Sequence, residues 1–455
     1  MSRRTFLCSI IHSLRSRILL ICATCALSFS GISGAETDST PNSRVLREIP
    51  ELTPPILGPL DGSHYSPVLA SNGHGEVLGV WAAIFAASNL VLGGNGVLGG
   101  RLDPNGRLLD SGNIVLEEGS FPAAVSFDSV AFNGQTYLAV WLETSDVYQS
   151  RAFGDLVMRS VSVDGVPGAK KLIASHVQFQ RPPTLTSNGA RFLAIWETVI
   201  VVSNETRLVT YSRIINADGT LGDFVQLTPN SDVDYQFPKV ASGPNGFLVV
   251  WQSAPHGQLS NYDISGRFLH DDGTPAGDVF KIFSGGENWS PKVASNQDAY
   301  FVIYEHSTGT FQTSPFTILG LSVSTNGTVS DPIEIVGESQ SFRRPVIASD
   351  GRDYLIAWDE PGAVGAKRVS AAGQILDPNG IPISSIDSRL EPFAPAAVFD
   401  GAAFVVAWQG VYWEGIIETA RIKDGQVLAR SNTVLNVARI CRFTRRQQAR
   451  TSLPL

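Results

Sequence analysis

Glu197, Gln252, Glu305, Asp359 and Gln409 each directly follow a Trp or Tyr that closes an apolar run, and Glu143 stands one place later after Trp141. A second set, Tyr65, Phe179, Tyr235, Trp289, Phe342 and Phe393, lies a few residues before a proline that opens a short segment. Carboxylates alternating with aromatic rings suit a sugar: the acids hydrogen-bond its hydroxyls and the rings stack on its apolar faces. Two of Glu143, Glu197, Glu305 and Asp359 could hydrolyse a glycosidic bond if one carried a raised pKa and the other stayed ionised. The same positions also have an architectural reading. A polar residue after a buried strand can cap a loop, and an aromatic before one can fill a wedge. Recurrence in nearly every copy favours architecture, because a catalytic site breaks the symmetry of a repeat.

Other chemistry has weaker support. Beyond the N-terminal segment the histidines are His64, His74, His176, His256, His270 and His306, and no two have metal-ligand spacing, so no zinc is expected. Asp164, Asp218, Asp271 and Asp272 beside glycines hint weakly at calcium. No D-x-D-x-D-G loop accompanies them, and turn chemistry explains them better. Arg101, Arg159, Arg213, Arg267, Arg368 and Arg421 recur once per copy and are expected to pair with neighbouring acids rather than gather around an anion. Neither a nucleophile elbow, a P-loop nor a dinucleotide fingerprint occurs in a suitable setting. No cofactor is expected.

The elements that must position these residues are set by an internal repeat. A proline opens a strand, an Asn-Gly or Asp-Gly turn follows, and an apolar strand ends in Trp. Clear copies are Pro183 to Trp196, Pro345 to Trp358 and Pro395 to Trp408. The anchors Trp81, Trp141, Trp196, Trp251, Tyr304, Trp358 and Trp408 lie 60, 55, 55, 53, 54 and 50 residues apart. A second phrase follows each anchor and turns at Gly106, Gly165, Gly219, Gly273, Gly327, Gly373 and Gly425. Each copy therefore reads as two hairpins, or four strands. Runs such as Phe247 to Trp251 do not alternate, so both faces of that strand must be buried. The fold class is all-β, a seven-bladed β-propeller of four-stranded antiparallel blades. For the fourth strand of the last blade, Thr53 to Leu60 and Asn432 to Asn436 are both open.

The layout P-x-V-A-x-[ND]-G-x-x-[FY]-L-V-x-W, followed by G-R-x-x-x-x-D-G, resembles the repeats of secreted bacterial β-propeller proteins. Its strand order is similar to that of sialidase-type propellers. The resemblance covers residues 53–437. It implies that ligands meet the face bearing the second-to-third and fourth-to-first connections, where long unequal loops emerge. The sialidase Asp-box is not reproduced, and Arg47-Glu48-Ile49-Pro50 interrupts the Arg-Ile-Pro motif with an extra residue.

Residues 1–35 read as a signal peptide: Arg3, Arg4, Arg15 and Arg17, the apolar run Ile18 to Phe29, then Ser33-Gly34-Ala35. The run is too short for a bilayer that needs about 20 residues, so no stable membrane anchor is expected. Ser2-Arg3-Arg4-Thr5-Phe6-Leu7 resembles a twin-arginine signal, with Cys8 out of pattern; general secretion stays open beside it. Residues 36–52 form a linker and residues 438–455 a basic tail expected to be disordered. Only Cys441 remains after the signal, which excludes an intrachain disulfide.

The chain has 34 basic and 42 acidic residues; without the signal and the tail arginines, 25 face 42. That balance disfavours nucleic acid. The expected protein is an exported monomer, periplasmic or extracellular. It is a non-catalytic binding or scaffold propeller that recognises a protein or glycan through its loop-rich face. The alternative is a glycan-active hydrolase using paired carboxylates in the central funnel.

Overall fold

The computed structural model describes residues 62–433 except 86–94, 111, 120–122, 125–128, 149–150, 180–182, 203–204, 230, 259, 297, 310–314, 340–343, 361, 385–392 and 410–416. The signal peptide, linker and basic tail, with Thr53 to Leu60, lie outside the described residues.

Seven antiparallel blades follow one another, each with strands a to d in chain order. Blade 1 runs Gly62–Ser71, Val77–Phe85, Asn95–Leu102 and Ile114–Gly119. In blade 2, strand a is split into Ala123–Ala124 and Val130–Phe132, before Thr136–Tyr148, Arg151–Ser162 and Lys171–Phe179. Blade 3 comprises Thr184–Ser187, Phe192–Val202, Glu205–Ile215 and Leu221–Gln226. Blade 4 comprises Val233–Gly243, Gly246–Pro255, Asp263–Leu269 and Phe280–Phe283. Next come blade 5 (Glu287–Ser295, Ala299–Ser307, Phe316–Ser324, Ile333–Ser339) and blade 6 (Val346–Ser349, Tyr354–Glu360, Ala363–Val369, Ile381–Pro382). Blade 7 is Phe393–Phe399, Phe404–Gln409, Ile417–Lys423 and Gln426–Thr433. Because neighbours are antiparallel, the a–b and c–d turns share one end of the barrel, and the b–c and d–a connections share the other.

Strand b forms because its run is apolar on both faces, and it is buried on both. Phe247, Leu248, Val249, Val250 and Trp251 have no exposed surface. Seven apolar clusters each join two neighbouring blades, beginning with Val68, Val80 and Leu116 of blade 1 against Tyr137 and Trp141 of blade 2. The last, Val77 and Leu102 against Val405, joins blade 1 to blade 7 and closes the ring. The seven c–d turn glycines all adopt left-handed φ, between +75° and +86°, as tight turns of this hand require.

The final blade closes on its own strands. Strand d of blade 7 is Gln426–Thr433, paired with strand c from Lys423↔Gln426 to Ile417↔Thr433. The candidate at Asn432 to Asn436 therefore begins too late. The two-residue turn Asp424-Gly425 reverses the chain at once, so the strand starts earlier than in other blades.

Five of the third-strand arginines behave in two ways. Arg101, Arg368 and Arg421 pair with Asp110, Asp377 and Asp400 at 2.8, 2.9 and 2.6 Å. Arg213 and Arg267 instead donate to the carbonyls of Ile173 and Leu227 in the preceding blade. Both kinds serve packing within or between blades.

Candidate functional site

The acids after the anchors sit where strand b reaches the b–c end. Opposite Glu197 and Gln252 lies a bulge in strand a of the next blade, where the register slips between Gln236 and Lys239 and between Trp289 and Lys292. Phe237 and Ser290 occupy these bulges with φ of 57° and 51°. A bulge turns a backbone N–H away from the ladder, and a buried donor needs an acceptor. Glu197 Oε2 accepts the Phe237 N–H at 3.2 Å, and Gln252 Oε1 accepts the Ser290 N–H at the same distance. Glu197 is 1 % exposed and Gln252 2 %. These side chains latch one blade to the next. Glu305 and Gln409 are buried at the same register in blades 5 and 7.

Asp359 and Glu143 differ from that pattern. Asp359 Oδ2 lies 3.2 Å from Arg344 Nη1, and Arg344, just before strand a of the same blade, has a φ of 38°. Burial pushes the Asp359 carboxyl up to about 6, against the pull of Arg344. Glu143 accepts from Trp141 Nε1 at 3.2 Å and from Lys170 Nζ at 2.8 Å. The same ammonium reaches Glu117 of blade 1 at 2.9 Å. Burial opposes the Lys170 charge, yet its hydrogen bonds to the two acids hold the pKa above the ordinary value.

The described aromatic side chains fill wedges. Tyr235 is buried edge-on against Trp251, with ring centroids 5.8 Å apart. Trp289, 5 % exposed, packs with Ala254, Tyr262 and Phe316 between blades 4 and 5 at the b–c end. Tyr65 and Phe393 lie on strand a of blades 1 and 7, where their backbones pair with Ala82 and Gln409. Phe342 is outside the described residues.

Asp218 and Asp272 serve their own loops, whereas Asp271 accepts from Asn188 Nδ2 of blade 3 at 3.4 Å. Asp218 Oδ1 accepts from the Thr220 hydroxyl at 2.7 Å and its N–H at 2.8 Å, which holds the carboxyl below the usual range. Asp272 does the same with Thr274. Among the described residues no group of three or more His, Cys, Asp or Glu could hold a metal.

Two arrangements were not legible in the spacing. His256 Nδ1 lies 2.9 and 3.1 Å from the two oxygens of buried Asp234, which also accepts the Gly257 N–H. Twenty-two residues separate the pair, and only the pairing of strands a and b in blade 4 brings them together. The second is the axis. Strand a of all seven blades lines a cavity of about 130 Å³, and Lys239 and Lys292 are its charged lining residues among the described ones. A signal for these lysines existed in the residue after each strand-opening proline.

The b–c end is also uneven. Strands b and c run 13 and 12 residues in blade 2 and 11 each in blade 3, against 7 each in blade 6. The lengthened strands of blade 3 reach back to blade 2 through the Thr198↔Phe179 pairing.

No protein-family model and no curated protein matches the chain. Among solved structures, the chain is similar to a protein of unknown function from Dyadobacter fermentans at 12% identity and TM-score 0.46, covering 67% of this chain and 93% of that one. It is also similar to the β-propeller domain of the Trilobed protease from Pyrococcus furiosus, at 10% identity and TM-score 0.45, covering 83% and 96%. The NanB sialidase from Streptococcus pneumoniae matches at 11% identity and TM-score 0.39, covering 76% of this chain and 65% of that one. At such scores these likenesses carry no functional argument; the chain is a seven-bladed β-propeller on its own strand order.

Proposed function

We propose that this chain is an exported, non-catalytic binding or scaffold propeller that engages a protein or glycan through its b–c end. One observation carries the reading: Gln252 does for blade 5 what Glu197 does for blade 4. An amide and a carboxylate do the same work at these two positions, which supports reading Glu197 as an acceptor for a backbone N–H rather than as a proton donor. The extended strands of blades 2 and 3 supply the asymmetry that a recognition face needs. Arg3, Arg4 and the following apolar run support export.

A glycan-active hydrolase is the second reading, favoured by Asp359. A carboxyl held near 6 has the protonation behaviour of a general acid. A glycan array followed by product analysis separates the two. Binding without turnover supports the first reading. Cleavage abolished by Asp359→Asn, Glu197→Gln or Glu305→Gln overturns it.

A further inference from the structure

Blades 4 and 5 carry an acid at the same register of strand a, and the two are treated differently. Asp234 pairs with Ala254 and Glu287 with Ser307, partners that stand two places after Gln252 and Glu305. In blade 4 the b–c connection seals the acid. His256, two residues past Ala254, places Nδ1 2.9 Å from Asp234 Oδ1, and Gly257 donates its N–H to Oδ2 at 3.1 Å. In blade 5 the residue two places past Ser307 is Gly309, which has no side chain to offer. Glu287 is 3 % exposed, and its Oε2 finds no hydrogen-bond partner among the described residues.

The polar groups beside Glu287 are committed elsewhere. Ser307, directly across the ladder, accepts the Gly309 N–H on its hydroxyl at 3.3 Å. Asn288 Nδ2 donates to the carbonyls of Tyr262 and Gly285 at 2.7 and 3.1 Å, and its Oδ1 lies 2.8 Å from His306 Nδ1. Asn288 and His306 pair next along the ladder, so alternation turns them to the other face from Glu287. A buried acceptor without a donor is costly, and blade 4 shows that the fold can supply one at this register. The carboxyl of Glu287 nonetheless lies just beneath the surface. Gly285, Gly286 and Thr308, on the two segments beside it, are exposed, and a Cβ at Gly285 would meet nothing within 4 Å. Three glycines, Gly285, Gly286 and Gly309, thus stand where side chains would otherwise crowd the approach.

We infer that Glu287 anchors the ammonium or guanidinium group of a ligand, which supplies the donor that His256 supplies to Asp234. A cationic N–H makes a charge-assisted bond to a carboxylate, roughly twice as strong as a neutral one. The acidic balance of the propeller, 25 basic against 42 acidic residues outside the signal and tail, draws such a cation in. The site goes beyond the reading proposed for the b–c end, since the carboxyl lacks its donor whether that face binds or cleaves.

Ligand-observed NMR titration of the purified chain tests the site, with butylammonium in one arm, butylguanidinium in another and butan-1-ol as the neutral control. Sodium chloride holds the ionic strength constant. Saturable binding of one cation per chain is expected in at least one arm. Binding in one arm alone identifies the ammonium or the guanidinium source; binding in both supports the shared chemistry. Glu287→Gln should weaken it at least tenfold. Gly309→His, which gives blade 5 the residue of blade 4, should do the same by filling the place. Asp331→Asn, at an exposed acid on the c–d connection of blade 5, should leave binding unchanged. Circular dichroism checks each variant for its strand content, and Glu287→Met replaces Glu287→Gln if the amide fails to fold. No binding in either arm, equal binding of butan-1-ol, or binding unchanged in the folded Glu287 or Gly309 variants would each overturn the site. A chain that folds with neither substitution at Glu287 needs the carboxyl for its structure, which overturns it as well.

Discussion

Gly75 donates its backbone N–H to the carbonyl of Asp400 at 2.7 Å, and this bond ties the first blade to the last. Asp400 is fully buried; its carboxylate holds Arg421 at 2.6 Å and accepts the N–H groups of Ala402 and Ala403. One residue thus organises the turn, the ion pair and the ring closure. Among the described residues, blades 1 and 7 share no strand, and the seam is held by side-chain packing and such bonds.

The seam is therefore sensitive at Gly401. Its φ is +97°, and a Cβ there would lie 2.0 Å from the Gly73 carbonyl oxygen in blade 1. Gly401→Ala should cost about 3 kcal/mol, through backbone strain and forced separation of the blades. Urea denaturation measures it; a midpoint equal to the parent's would show that the seam tolerates the methyl group.

Asp359 gives stability a pH dependence. Its folded pKa of about 6 lies above the ordinary 3.8, so between those values the folded state holds more proton than the unfolded one. The associated stability is complete below pH 4 and is lost as pH rises through 6. The loss is up to about 3 kcal/mol. Burial raises the Glu418 carboxyl as well, against a hydrogen bond from Trp408, and adds a change of the same sign. Asp359→Asn should flatten the profile between pH 4 and 6. A denaturation series across that range in which parent and variant run parallel would refute the assignment.

Glu197 should tolerate an amide and not a truncation. Glu197→Gln keeps an acceptor for the Phe237 N–H, as Gln252 does for Ser290. Glu197→Ala leaves that donor orphaned and should cost about 2 kcal/mol. Melting of the two variants side by side checks this, and equal losses would mean that the negative charge itself is required.

How far the sequence exposes such features depends on their range. The blade count was legible because Trp anchors and turn glycines recur at a period the ring imposes. Within a blade, Asn-Gly and Asp-Gly turns marked the hairpins. The latch from Glu197 to Phe237 spans forty residues, and nothing in either copy states that blade 3 reaches for a bulge in blade 4. The carboxylate–aromatic pattern was likewise visible as a list, but which rings are sealed in wedges follows only from neighbouring blades. His256 and Asp234 meet because a register pairs Asp234 with Ala254, two residues short of the histidine. The axial lysines were hidden differently: each reads as an ordinary strand residue until the seven copies are aligned on their prolines.

The last blade makes a sharp boundary for truncation. Strand d, Gln426–Thr433, is paired along strand c and reaches into blade 6, where Arg430 Nε donates to the Ile383 carbonyl at 2.6 Å. Val427 packs beside Trp408 and Ile422 in the cluster shared by blades 6 and 7. A chain ending at Ala438 keeps all of these contacts and should melt with the parent. One ending at Asp424 loses the strand and uncovers the outer edge of strand c, leaving ladder groups unpaired. Its melting temperature should fall by several degrees, at about 4 °C or less per kcal/mol for a domain of this size. A matching fall on truncation at Ala438 would instead place the closing contacts beyond Thr433.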